Sequence, residues 1–314
     1  MELQNYEKKD LKIKQKFKSF LQKAGKIENK IKFSWSNWGF GLEPIEISLR
    51  RLKKYNVNYI EVFGNRFGDD LGYNPEQLKK IIADSGIKVS GVCGMVSRES
   101  ELSSTSPSVR QRCIDYFKRN IELCKVLDGE YLIFHPGAVG RPEKYDDFEL
   151  ERAIDTINII ADYFVDADVK GAIEPVRADE VSTCHTFQEV VDLINSINHS
   201  GIRHIAGDVY HMLHGEEHIG ETIINYSDYL VNLHMADTNR MALGSGMLNL
   251  DIVIMALYLI RYNEKNAFCS AEPLGSGADP YIQMNGPSDS DMLDKLVKDT
   301  ASYFYKREAL LLEE

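Results

Sequence analysis

Two kinds of apolar pattern alternate along this chain. Short runs dense in Ile, Val, Phe, Tyr and Ala are separated by longer stretches in which apolar residues recur at three- and four-residue spacing. The first kind predicts buried strands and the second predicts amphipathic helices. Strands are predicted, in order, at Ile31–Trp35, Asn58–Phe63, Ile87–Cys93, Glu130–His135, Lys170–Glu174, Arg203–Asp208, Tyr229–His234 and Ala267–Glu272. Helices are predicted at Pro44–Lys54, Asn74–Ser85, Pro107–Leu127, Phe148–Phe164, Thr186–Ile197, Glu217–Tyr226, Asn249–Tyr262 and Asp289–Tyr305. Asn74 ahead of Pro75 reads as a helix cap followed by proline at the first helical position. The serine-rich segment Ser97–Ser106 reads as a long loop. Strands alternating with helices imply a parallel sheet. Eight such units across residues 31–310, with no linker between them, imply an α/β fold with one closed (β/α)8 barrel. The competing open, doubly wound sheet is disfavoured because no GxGxxG follows the first strand.

Residues 1–30 stand apart as a basic, helical N-terminal extension. Ile13, Phe17, Phe20, Leu21 and Ala24 share one helical face, and residues 1–32 carry ten lysines against four acidic residues. A helix lying on a membrane surface is one reading. The plainer one is a helix that covers the barrel bottom or meets a partner.

Composition narrows the function. The chain has 314 residues, 43% of them hydrophobic, enough for one large core. Its formal charge is −11 and its sequence pI is about 5.3, the wrong sign for a general nucleic-acid binder. Cys93, Cys113, Cys124, Cys184 and Cys269 are odd in number, form no CxxC pair and sit in no Cys-His arrangement. They point to reduced thiols in a cytoplasmic protein. No apolar run is long enough to span a membrane, and the N-terminus lacks the apolar segment of a signal peptide.

The candidate chemistry lies at the ends of the last four predicted strands. GAIEP ends in Glu174 before Pro175, and AFCSAEP ends in Glu272 before Pro273. Proline cannot donate to the ladder, so each carboxylate is left at a strand tip. HIAGD ends at Asp208 and VNLH at His234. In a barrel all four tips open on one face. Three carboxylates and an imidazole there suit a divalent cation, Mn²⁺ first, with Co²⁺, Mg²⁺ or Zn²⁺ as variants. The plain alternative is a set of separate salt-bridged residues on a polar rim.

With these residues in place, the chain resembles the xylose-isomerase-like TIM barrels, and within them the ketose 3-epimerases of the tagatose and psicose type. The resemblance covers residues 31–310. It implies Glu174, Asp208, His234 and Glu272 as ligands of one Mn²⁺ or Co²⁺. It implies Glu180, His211 and Arg240 as holders of the sugar's oxygens, since they stand at the family's offsets from Glu174, Asp208 and His234. It further implies proton abstraction beside a carbonyl, with Glu174 and Glu272 on opposite faces of the reacting carbon. The chain departs from the epimerase pattern at HMAD, where Asp237 stands in place of a glutamate.

The flanking segments FSWSNWGFG and EVFGNRFGDDLGY also resemble the catalytic subunit of the C-glycoside deglycosidases. That likeness implies β-elimination on a 3-oxo-glycoside, with a small second subunit as partner. The expected partners are therefore a sugar or glycoside and a homo-oligomeric or hetero-oligomeric mate, without nucleic acid or membrane. A non-catalytic sugar-binding barrel is a further reading, disfavoured by the intact ligand quartet. An apurinic endonuclease on the same fold would call for more metal-binding histidines and a basic face.

Other residues carry two readings each. His135, before Pro136, is a proton shuttle, a base for elimination or a structural histidine. Trp38 and Trp35 after strand one stack on substrate or simply pack. Glu61 and Asn65, at the end of strand two, touch substrate or, more plainly, are structural. Arg177 is a charge near Glu174 or an anion contact. Pro273–Ser288 reads as a lid or specificity loop, with Gly275 and Gly277 as turn glycines more readily than a phosphate cradle. His185, His204, His214 and His218 read as structural or surface residues.

Overall fold

A computed structural model describes residues 5–64, 71–94, 97–274 and 289–313. Most of the predicted lid, its two glycines and Asn65 lie outside the described residues.

Eight parallel strands close on themselves in sequence order, so β1 pairs with both β2 and β8. They are β1 (Phe33–Ser36), β2 (Tyr59–Phe63), β3 (Lys88–Cys93), β4 (Tyr131–Phe134), β5 (Lys170–Ile173), β6 (Ile202–Asp208), β7 (Leu230–Met235) and β8 (Phe268–Ala271). The described helices around them are α2 (Ile45–Lys54), α3 (Pro75–Ser85), α4 (Pro107–Val126), α5 (Glu149–Ala167), α6 (Phe187–Ile197), α7 (Val209–Gly215), α8 (Ile219–Asn225), α9 (Leu250–Leu259) and α10 (Ser290–Glu313). α1 (Asn5–Ala24) precedes them. The barrel and its units are as the patterning predicts. Asn74 caps α3 by accepting from the Gln77 amide. Thr186 and Glu189 form a reciprocal capping box on α6.

Two elements differ from expectation. The single helix predicted between β6 and β7 is two, because the Asp208 side chain accepts from the Tyr210 amide and starts α7 directly from the strand. α1 does not cover the barrel bottom. Ile13 and Phe17 are buried, and α1 packs along the outside of α8 and α9. Asp10 accepts from Asn249 Nδ2 at 3.0 Å and lies 2.9 Å from His218 Nε2, the cap residues of α9 and α8. Lys9 pairs with Glu217 and Glu221. The apolar stripe that suggested a membrane surface is thus covered by the barrel's own helices, worth roughly 1.5–3 kcal/mol for each buried side chain. Ala24, also placed on that stripe, is exposed. No described helix is long and apolar enough to cross a membrane.

Beside the mouth, the loop after β4 is pinned by a buried ionic cluster. Arg141 Nη2 lies 2.7 Å from Glu101 Oε1 and 2.9 Å from Glu149 Oε1, and its Nη1 lies 3.0 Å from Glu149 Oε2. Ser103 donates to Glu101, and Ser182 and the Tyr145 amide donate to Glu149. Every side-chain oxygen and nitrogen of these three ionic residues has a partner.

Candidate active site

The tips of β5 to β8 stand level. The Glu174 amide donates to Phe134 O, the Glu272 amide donates to Met235 O, and Asp208 is in register with His234. The proline after each glutamate ends the ladder there. The four predicted residues therefore open into one mouth, together with His211 and Arg240. Asp208 and Glu272 are almost wholly buried, and Glu174 is slightly more open.

His234 is the hub. Its Nδ1 lies 3.4 Å from Glu174 Oε1 and 3.5 Å from Glu272 Oε2. No described residue makes a hydrogen bond to that nitrogen or to Glu272 Oε1. Arg240 Nη2 bridges the other side, 3.1 Å from Glu272 Oε2 and 3.4 Å from Asp208 Oδ2. His211 Nε2 stands 3.4 Å from the same Asp208 oxygen. The donor atoms form two adjoining groups, Glu61 with Cys93, His234 and Glu272, and Glu174 with Asp208 and His211. The predicted quartet is thus brought together across two groups, not as one isolated shell. It fits a divalent cation: buried carboxylates outnumber the cations facing them, and a buried imidazole nitrogen and a buried carboxylate oxygen await a partner.

Burial sets the electrostatics. It pushes the Glu272 carboxyl up to about 7; Asp208 and Glu174 add to the effect, while His234 and Arg240 oppose it. Glu174 also moves above the usual carboxylate range, mainly through burial. Burial would raise Asp208 too, but His211, Arg240 and His234 outweigh it and hold that carboxyl low. Burial lowers His211 to about 3, with Asp208 opposing, so it is neutral at ordinary pH.

The loop after β7 explains the HMAD departure. Asp237 Oδ1 accepts from the Thr238 and Leu248 amides and Oδ2 from the Gly244 amide. A Cβ on Gly246 would fall 2.3 Å from Asp237 Oδ1, so the GSG turn must be glycine there. This loop carries Arg240, held at φ 56°, a left-handed conformation unusual for arginine, with its guanidinium 4.6 Å from the Tyr210 ring centroid.

The remaining predicted residues occupy plainer positions. Glu180 accepts from Arg177 Nε at 2.5 Å, and Arg177 Nη1 donates to Tyr210 Oη at 2.7 Å. The Arg177 charge is thereby matched by Glu180 and Asp179. Trp38 stacks on Phe63 with centroids 5.5 Å apart and faces the cavity, whereas Trp35 is buried against Phe40. His135 also lines the cavity, but both its ring nitrogens are spent on backbone. Nε2 meets Thr183 O at 2.9 Å, and Nδ1 accepts from the Gly137 amide at 3.0 Å. Burial lowers His135 to about 4, so it is neutral and offers no free lone pair for a base.

The sequence reading gave two residues of the mouth no part in the metal site. Cys93 stands within the donor group, its thiol kept protonated by burial and by the Glu61 and Glu272 charges. Glu61 is fully buried on β2, and its Oε1 lies 2.8 Å from His234 Nε2. A carboxylate inside a strand that faces other strands' tips was the available signal.

A family model described as a xylose isomerase-like TIM barrel matches residues 49–280. The D-psicose 3-epimerase of Agrobacterium fabrum is 23% identical over 253 residues, 78% of this chain and 82% of that protein. The solved L-ribulose 3-epimerase superposes with a TM-score of 0.77 at 18% identity, covering 90% of this chain and 96% of the other. The 3-keto-D-glucoside 4-epimerase of E. coli superposes with a TM-score of 0.68 at 20% identity, covering 85% and 99%.

Proposed function

Because the chain belongs to the xylose isomerase-like TIM barrel family, we propose that it is a divalent-metal-dependent sugar isomerase or epimerase of the ketose 3-epimerase type. Glu174, Asp208, His234 and Glu272 hold the cation, with Mn²⁺ the best match and Co²⁺ or Mg²⁺ as substitutes. When bound, the cation supplies Lewis-acid polarisation of a carbonyl, which acidifies the neighbouring C–H.

The protein's own groups do the rest. Of Glu174 and Glu272, one removes the proton beside the carbonyl and the other returns it from the opposite face. Arg240 and neutral His211 hold the sugar's oxygens, Glu180 accepts from a hydroxyl, and Trp38 offers an apolar wall. His135 shapes the cavity and takes no proton. The observation that carries this reading is the approach of both glutamates to one imidazole nitrogen, at 3.4 and 3.5 Å.

A second reading is proton abstraction from a 3-oxo-glycoside, followed by β-elimination or by inversion. The likeness in fold to a 3-keto-D-glucoside epimerase favours it. Mn²⁺-loaded protein in D₂O separates the two. Deuterium entering C3 of a ketohexose, with the inverted sugar formed, supports the first. Deuterium entering a 3-oxo-glucoside, with or without aglycone release, supports the second. Absence of exchange into either sugar overturns the carbon-acid chemistry.

A further inference from the structure

We infer that Glu61 is a positioning residue, whose buried carboxylate fixes the His234 imidazole so that Nδ1 presents its lone pair to the cation site. This rests on the metal-centre reading above and deepens it. The inference comes from how the hydrogen bonds are divided between the two oxygens of one side chain.

Glu61 Oε2 is committed. It accepts from Tyr131 Oη at 2.8 Å and from Asn232 Nδ2 at 3.3 Å. Asn232 turns its Nδ2 to that oxygen because a carboxylate can only accept, and its Oδ1 accepts from Ser270 Oγ at 2.8 Å. Tyr131 is seated by close packing on Gly91, where a Cβ would fall 2.4 Å from its ring. Oε1 is left for His234 Nε2, 2.8 Å away, and a carboxylate oxygen can only accept. Nε2 therefore carries a proton, so in the neutral imidazole that a cation requires Nδ1 holds the lone pair. Nδ1 is the nitrogen beside Glu174 and Glu272 that no described residue bonds. A carboxylate behind a metal-binding histidine holds its tautomer and ring angle. Here it stands 173 residues away in sequence and three strands round the barrel, on β2 against β7.

Glu61→Gln tests this without changing size. With Tyr131 and Asn232 keeping their donors where Oε2 stood, the amide oxygen takes that place. The amide NH₂ then faces His234 Nε2, which must accept, and the proton moves to Nδ1. Mn²⁺ affinity, read by electron paramagnetic resonance of free Mn²⁺, is expected to fall about 10- to 100-fold. The melting temperature of the metal-free variant should stay near that of wild type. Unchanged Mn²⁺ affinity, with or without a lower melting temperature, assigns Glu61 a merely structural role and overturns the inference. If wild type itself binds no Mn²⁺, the metal-centre reading fails instead. Should Glu61→Gln not fold, Glu61→Asp keeps the charge and withdraws the acceptor by one methylene. Wild-type Mn²⁺ affinity in that variant overturns the inference equally.

Discussion

Two buried ionic clusters lie close together in this barrel, and they are built to opposite ends. In the Arg141 cluster one guanidinium answers two carboxylates, and serines and a backbone amide fill the remaining positions. At the mouth, one guanidinium, that of Arg240, faces Asp208 and Glu272 among the described residues, Glu174 adds a third carboxylate, and His234 Nδ1 and Glu272 Oε1 lack a described hydrogen-bond partner. Burial costs both clusters their hydration. The first recovers that cost within the protein. The second leaves part of it open to whatever binds there. A closed set of partners marks a structural cluster, and an open one marks a site that awaits a ligand.

The largest expected difference is in rate against stability. Glu272→Gln should lower proton exchange into substrate by about 10²–10⁴ while leaving the metal-free fold as stable as wild type or more so. Deuterium incorporation and thermal melting read the two effects. A rate loss below about tenfold would remove Glu272 from proton transfer. Arg141→Met should do the reverse. It strands Glu101 and Glu149 without their cation, at a cost of about 3–5 kcal/mol in urea unfolding.

Mn²⁺ sharpens the contrast. At a hundred times its Kd it should add about 2.7 kcal/mol of stability. That increment should survive in Arg141→Met and shrink in Glu272→Gln.

The smallest and most discriminating effect is pH. Glu272 is pushed up to about 7 from 4.5, so its contribution to metal-free stability is full below the unfolded value and lost as pH rises through 7. Glu149 goes the other way. Burial would raise it, but Arg141, Ser182 and the Tyr145 amide outweigh burial and hold it low. Its contribution is present above the unfolded value and lost as pH falls through the folded one. Subtracting Glu272→Gln and Glu149→Gln from wild type across the acid range should give slopes of opposite sign.

The two clusters also differ in how far the sequence reveals them. The mouth quartet is legible because strand tips repeat in units and Pro175 and Pro273 mark two of them. The Arg141 cluster is not, since Glu101, Arg141 and Glu149 meet through loop conformations that no periodicity encodes. Glu61 shows the same limit. Its carboxylate reads as structural until the barrel closes and brings His234 to it. α1 was recognisable as a helix with a buried stripe, but its seat against α8 and α9 depends on Asp10, His218 and Asn249, single polar residues with no pattern of their own. His135 was placed at the mouth correctly, but the Thr183 carbonyl that occupies Nε2 comes from a distant loop.

The seat of α1 carries a consequence for how such a chain is made. His218, which Asp10 meets, lies 208 residues further along. At translation speeds of about 5–20 residues per second, that partner emerges roughly 10–40 s after the helix. Throughout that interval Ile13 and Phe17 have no barrel to rest on. Lys8, Lys12, Lys14, Lys16 and Lys18, all exposed in the finished fold, ring the same helix. Through that interval the same lysines keep charge around two apolar side chains, on a segment that is made well before its seat.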